Sequence, residues 1–130
     1  MKKLAPGVLS LLMLAGCARS DRQTVGFYQI TMDEAIAVMA EEENYIILDV
    51  RTPEEFAEKH IPGAVNVPNE TIGMQEISQL PDKDQLILVY CRSGNRSKKA
   101  AQKLVELGYT SIVEFGGIHD WPGETVSGNQ

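Results

Sequence analysis

The chain has 130 residues, 12 Lys and Arg against 18 Asp and Glu, and a net charge of −6. That length suits one domain, and 43% apolar with 23% charged residues is ordinary globular usage rather than that of a disordered chain. The acidic balance argues against a free-standing nucleic-acid binder, which needs a basic footprint, and two Cys and two His at positions 17, 60, 91 and 119 fit neither a four-ligand zinc site nor a disulfide scaffold.

Residues 1–16 read as a targeting segment. Lys2 and Lys3 give it a positive start. Leu4 to Ala15 is an apolar run of 12 residues, short of the roughly 20 that span a bilayer. The run ends in Leu14-Ala15-Gly16-Cys17, which resembles the lipobox of bacterial lipoproteins. The resemblance implies cleavage before Cys17 and lipid on its thiol and amine. Each buried methylene of such acyl chains contributes about 0.8 kcal/mol to membrane attachment. Without residues 1–16 the chain has 114 residues and loses Lys2 and Lys3, so 10 basic face 18 acidic residues, or −8. An anionic membrane surface repels such a body. Lipid, not a basic patch, is therefore the expected tether, with residues 17–26 as lipidated cysteine and polar linker. The expected location is extracytoplasmic. Ala18 stands where lipoproteins kept at the inner membrane often have Asp, which points to the periplasmic side of an outer membrane in a Gram-negative cell. Acylation of Cys17 leaves Cys91 as the single free thiol, so counting excludes a dithiol mechanism.

The remaining chain alternates strand and helix signals. A short strand is expected at Phe27–Ile30. Thr31-Met32-Asp33-Glu34 has the form of a capping box, and Met32, Ala35, Ile36 and Met39 recur at helical spacing, predicting a helix over 32–42. Tyr45–Val50 is a continuous apolar run suited to a buried parallel strand. Thr52-Pro53-Glu54-Glu55 is a second capping box with Pro at the first helical position, opening a short helix that ends near Lys59. Ala64–Val67 reads as a small strand. A weakly specified helix is expected over 72–80, closed by Pro81. Leu86–Tyr90 is the clearest buried strand, Cys91–Arg96 a loop, and 97–107 a helix with Ala100, Ala101, Leu104 and Leu107 inward, stopped by Gly108. Ser111–Phe115 is the last strand, and 124–130 a tail. Such alternation predicts an α/β domain with a mostly parallel sheet.

The chemistry-bearing segment is Cys91-Arg92-Ser93-Gly94-Asn95-Arg96-Ser97. It joins a buried strand to a helix N-terminus, the edge at which open α/β sheets bind ligands. Amide N–H groups of a tight loop opening a helix carry partial positive charge, Gly94 lets the backbone turn, and Arg92 and Arg96 add full charges. Each influence favours thiolate over thiol at Cys91, and an exposed sulfur anion is expected. Arg92, Arg96, Lys98, Lys99 and Lys103 supply five of the ten cations left after cleavage, with no acid between Asp84 and Glu106. The one basic patch therefore surrounds the one free thiol, which suits an anionic substrate. The competing reading makes Cys91 a small buried hydrophobe.

This loop resembles the active-site loop of the rhodanese family of sulfurtransferases. Asp49-Val50-Arg51 with Glu55-Phe56 is similar to the family's first signature, His60-Ile61-Pro62-Gly63-Ala64-Val65-Asn66-Val67-Pro68 to its second, and Gly116-Gly117 with Trp121 to its closing element. The match spans residues 27–123. It implies one rhodanese-like domain: a five-stranded, mostly parallel sheet flanked by helices. It implies that Cys91 is the nucleophile and carries sulfane sulfur as a persulfide from thiosulfate or a similar small anionic donor to a thiol or protein acceptor. No cofactor and no metal is called for. Arg92, Ser93, Gly94, Asn95 and Arg96 would bind substrate, with a pinning role at a neighbouring carboxylate the alternative for Arg96. Asp49 and Arg51 would support the site. His60 and His119 read as structural, though either could serve as a base; Trp121 reads as a core plug, and Met32, Met39 and Met74 as packing. Related phosphatases and arsenate reductases use a loop one residue longer, Cys-x5-Arg against Cys-x4-Arg here. A non-catalytic binding module is the other alternative.

Overall fold

The structure is a computed structural model that describes residues 26–73 and 75–128. The expected targeting segment 1–16, Cys17, the tether up to Val25, and Met74 lie outside the described residues. Five strands form one sheet: β1 (Tyr28–Gln29), β2 (Tyr45–Asp49), β3 (Val65–Asn66), β4 (Leu86–Cys91) and β5 (Ile112–Gly117). Their spatial order is β1-β5-β4-β2-β3 and every pair is parallel, so the mostly parallel sheet is wholly so. The chain leaves β2 toward β3 in one direction and β4 toward β5 in the other. The direction of winding therefore reverses between β2 and β4, where a crevice opens beyond the strand ends.

Helices cover both faces. Helices α1 (Met32–Glu41) and α2 (Pro53–Glu58) lie on one, packing Ala35, Val38 and Phe56 with Leu88, Tyr90, Val113 and Phe115. Helix α3 (Asn95–Glu106) covers the other, with Ala100, Ala101 and Leu104 against Ile87, Val89, Cys91 and Ile112. β4 is buried along its whole length, which is why it reads as an uninterrupted apolar run. Both capping boxes form. Thr31 Oγ1 accepts the Glu34 N–H at 3.1 Å while Glu34 Oε1 accepts the Thr31 N–H at 2.8 Å. The Thr52–Glu55 pair does the same at 3.2 and 2.9 Å.

Three expectations need correction. Leu107, expected inward, follows the end of α3 and is one of the exposed large apolar residues. No helix spans 72–80 among the described residues: a 3-10 turn occupies Asn69–Thr71, and Ile72 and Gln75 form an isolated bridge. Ile72, Ile77 and Leu80 are buried, but at intervals of five and three they do not keep one helical stripe, and Gly73 sits at φ +100°, outside helical space. Helix α3 starts at Asn95, two residues before the expected 97, because Gly94 in the left-handed region (φ 109°) turns the chain directly from loop into helix.

Candidate active site

Cys91 is the last residue of β4, at the reversal point. Its neighbours are Tyr90, paired with Asp49 of β2, and Gly117 of β5, reached through a register shift between Val89 and Cys91. The expected exposed sulfur is corrected here: Cys91 is 1% exposed, while Arg92 and Ser93 are exposed. The loop folds over the thiol, and the Gly94 N–H donates to Sγ at 3.0 Å. This fold-over needs Gly117. A Cβ there would lie 2.1 Å from the Arg92 carbonyl oxygen and 2.6 Å from Ser93 Cα, so any side chain would push the loop off β5.

The two arginines diverge. Arg96 forks onto Glu55, Nη1 to Oε1 at 2.9 Å and Nη2 to Oε2 at 3.1 Å, each side chain about one-quarter exposed. The hydrogen bond from Arg96 holds the Glu55 carboxyl at about 2, with its Thr52 partners assisting against burial, and raises Arg96 in turn. Both ends of the guanidinium are thus occupied by α2. Arg92 is exposed and its Nε meets His119 Nε2 at 3.3 Å, while the His119 N–H donates to the Arg92 carbonyl at 3.3 Å. Lys98 and Lys103 turn back onto the carbonyls of Gly94 and Asn69, at 3.4 and 2.8 Å. Ser93 and Asn95 are exposed on the loop and the first turn of α3.

Asp49 and Arg51 form a buried pair, 0% and 4% exposed, joined by Nη2–Oδ2 at 2.7 Å and Nε–Oδ1 at 3.0 Å. Asp49 also accepts the Arg51 N–H at 2.9 Å and the Tyr90 hydroxyl at 2.6 Å, and Arg51 Nη2 donates to the Lys59 carbonyl at 2.6 Å. Burial opposes the Arg51 charge, but hydrogen bonding and charge at Asp49 outweigh it and raise Arg51. Burial, then Asp49, pushes the Tyr90 hydroxyl far up. The network ties the ends of β2, β4 and α2 together.

His60 is fully buried, stacked on Phe56 at 3.6 Å, with Nδ1 2.8 Å from the Phe56 carbonyl oxygen and Nε2 without a hydrogen-bond partner. His119 is exposed beside Arg92. Trp121 meets Phe115 edge-on at 6.5 Å and donates Nε1–H to the Glu124 carbonyl at 2.9 Å. A cavity of about 490 Å³ lies between α2 and the C-terminal segment, lined by Arg51, Glu55, Lys59, Arg92, His119 and Trp121 among others.

One further residue stands beside the sulfur and a second reaches it through the first. Ser97 Oγ is 3.5 Å from Cys91 Sγ and 3.0 Å from the Gly94 carbonyl oxygen, and hydrogen-bonds to Glu114 Oε2. Glu114 is 3% exposed and accepts the Gly116 N–H at 3.1 Å. Sequence reasoning passed over Glu114. Its signal is an acid inside the apolar run Ile112-Val113-Glu114-Phe115, where a charge is costly unless partnered.

Comparison with known proteins agrees with this geometry. The family described as rhodanese-like domain matches residues 31–124. The thiosulfate sulfurtransferase PspE of Escherichia coli is 36% identical over 81 residues, covering 62% of this chain and 78% of that protein. The thiosulfate sulfurtransferase GlpE of Pseudomonas entomophila is 34% identical over 108 residues, covering 79% and 95%. The crystal structure of a rhodanese-like domain protein from Staphylococcus aureus superposes with a TM-score of 0.65 at 33% identity, over 75% of this chain and 94% of that one. The chain belongs to the rhodanese-like domain family.

Proposed function

We propose that the protein is a sulfurtransferase that moves sulfane sulfur through a persulfide on Cys91. The observation that carries this reading is the thiol of Cys91, the one free cysteine among the described residues, at the winding reversal, with the Gly94 amide nitrogen already 3.0 Å from its sulfur. In the first half-reaction the Cys91 thiolate attacks the outer sulfur of thiosulfate. A bond forms between Sγ and that sulfur, the donor's S–S bond breaks, and sulfite leaves with the electron pair. In the second, a thiophilic acceptor attacks the outer sulfur, the new S–S bond breaks, and Cys91 takes back the pair as thiolate. No redox partner or metal is required. The loop amides offer hydrogen bonds to a terminal sulfur anion. Exposed Arg92 supplies positive charge for an anionic donor; Arg96, committed to Glu55, acts by pinning α3 to α2.

Sulfur-transfer activity is tested with the full chain, thiosulfate and cyanide. Thiocyanate should form with double-displacement kinetics, and Cys91→Ser should abolish it. Absence of thiocyanate with a folded protein favours a binding module. Hydrolysis of an aryl phosphate through Cys91 favours the phosphatase alternative, which the six-residue loop disfavours.

The leader is the second part of the proposal: cleavage before Cys17, lipid on that residue, and a domain held at the periplasmic face of a bacterial membrane. The positive start, the apolar run and the Leu14–Cys17 tetrapeptide support it. Cys17→Ser should move the protein from the membrane fraction to the soluble one; retention on the membrane contradicts lipid as the tether.

A further inference from the structure

The Cys91 thiol, the Ser97 hydroxyl and the Glu114 carboxyl together hold fewer hydrogens than their contacts require. The Ser97 hydroxyl carries one hydrogen, yet Oγ lies within bonding distance of two oxygens, the Gly94 carbonyl and Glu114 Oε2, and of Cys91 Sγ. One hydroxyl hydrogen cannot serve both oxygens. A carbonyl oxygen holds no proton, so the second proton, when present, sits on Glu114. All three residues are nearly sealed from water: Ser97 0%, Cys91 1% and Glu114 3% exposed. Among the described residues, the hydrogen-bond partners of the Glu114 carboxylate are Ser97 and the Gly116 N–H, neither a cation.

We propose that Glu114, through Ser97, holds the proton of Cys91, so that the thiolate forms by a shift within the buried trio rather than by loss to solvent. In one arrangement Cys91 S–H donates to Ser97 Oγ and Ser97 donates to the Glu114 carboxylate. In the other, the Cys91 S–H bond has broken and a Ser97 O–H bond formed, the original Ser97 O–H has broken and a Glu114 O–H formed. Glu114 then donates to Ser97, Ser97 to the Gly94 carbonyl, and the bare sulfur accepts the Gly94 N–H. One negative charge is present throughout and the heavy atoms stay where they are. Glu114 and Ser97 are positioning residues, since neither touches the donor. None of the surrounding cations can take the proton, although the Arg96 charge also interacts with Cys91. Arg96 of α3 is taken by Glu55 of α2, Lys98 of α3 turns to the Gly94 carbonyl, Arg92 meets His119, and Arg51 is paired with Asp49 at the end of β2.

The inference deepens the sulfur-transfer reading, so its test does not use sulfur transfer. The full chain is alkylated with iodoacetamide across pH, with Cys91 followed separately from Cys17 by peptide-resolved mass spectrometry. Two groups sharing one proton titrate as a pair. The Cys91 rate should therefore climb in two steps with a plateau between, and Glu114→Gln, which keeps the shape but cannot take the proton, should leave one step. On the plateau an infrared difference spectrum should show a protonated-carboxyl C=O stretch that is lost above the second step. A single step in the wild type, or two steps surviving in Glu114→Gln, overturns the proposal. Should Glu114→Gln fail to fold, the wild-type profile and the carboxyl band decide alone: one step, or a plateau without the band, overturns it. A two-step profile in a protein that forms no thiocyanate supports the relay and contradicts the sulfur-transfer reading; thiocyanate with a one-step profile does the reverse.

Discussion

The C-terminal ends of β2 and β4 are neighbours, with Asp49 registered beside Tyr90 and Cys91 next in line, yet they spend their polar atoms differently. At the end of β2, the oxygens of Asp49 take Arg51, its own following N–H and the Tyr90 hydroxyl, and Arg51 reaches on to the Lys59 carbonyl. At the end of β4, the sulfur has one amide and one hydroxyl, and the charged residue next to it, Arg92, points to solvent and His119. The first end is closed upon itself. The second keeps a nucleophile, an exposed cation and a loop whose Gly94 N–H faces the sulfur. One strand end supplies rigidity so that its neighbour can remain incompletely satisfied, which is where reactivity is found.

Breaking the closed end should cost the most stability. Asp49→Asn leaves the Arg51 guanidinium buried without its counter-charge, a change of about 3–5 kcal/mol. Urea denaturation should show a lower midpoint, while the fraction that remains folded still loads sulfur on Cys91. Unchanged stability would mean that Arg51 finds another partner. Gly117→Ala tests the seam between the loop and β5. The added methyl meets the Arg92 carbonyl at 2.1 Å, and overpacking of this kind costs about 1–3 kcal/mol. It should also slow sulfur loading, because the loop that holds the amide against Sγ is displaced. At the open end, Arg92→Gln should raise KM for thiosulfate about tenfold and flatten its salt dependence, in line with the loss of one charge-assisted contact. Its urea midpoint should not move, since Arg92 is exposed.

The smallest effect is expected at Glu55, on the pinning side of the loop. Its carboxyl is held at about 2 by the hydrogen bond from Arg96. A carboxyl lowered in the folded state contributes stability that is complete above its unfolded value of 4.5 and is lost as pH falls toward about 2. Glu55→Gln should therefore remove a slope in stability between those limits. At neutral pH it should cost no more than about 1 kcal/mol, because the pair is partly exposed. Denaturation midpoints measured down the acid limb check both parts.

Local signals carried most of the fold. Thr31 with Glu34 and Thr52 with Glu55 fix two helix starts through contacts three residues apart, and β4 announces itself because both faces are covered. Cys91, Gly94 and the flanking arginines were legible as a site for the same reason: they are contiguous. The segment 72–80 was not legible, because its three buried apolar residues answer to three-dimensional packing rather than to one helical face. The fate of Arg96 was open because its partner Glu55 lies 41 residues away in sequence, so sequence spacing alone cannot choose between substrate and scaffold. The burial of Cys91 was also hidden. It depends on the absence of a side chain at Gly117, brought under the loop by a neighbouring strand. Glu114 reaches the sulfur only through Ser97, 17 residues earlier in the chain.

The most direct measurement of the central claim isolates the first half-reaction. The full chain is incubated with thiosulfate alone, freed of excess donor, and weighed intact and as peptides. The account predicts a gain of one sulfur atom located on the Cys91 peptide, removed by cyanide and missing in Cys91→Ser. A folded protein whose mass is unchanged by thiosulfate, or one that carries the added sulfur anywhere but Cys91, would contradict it.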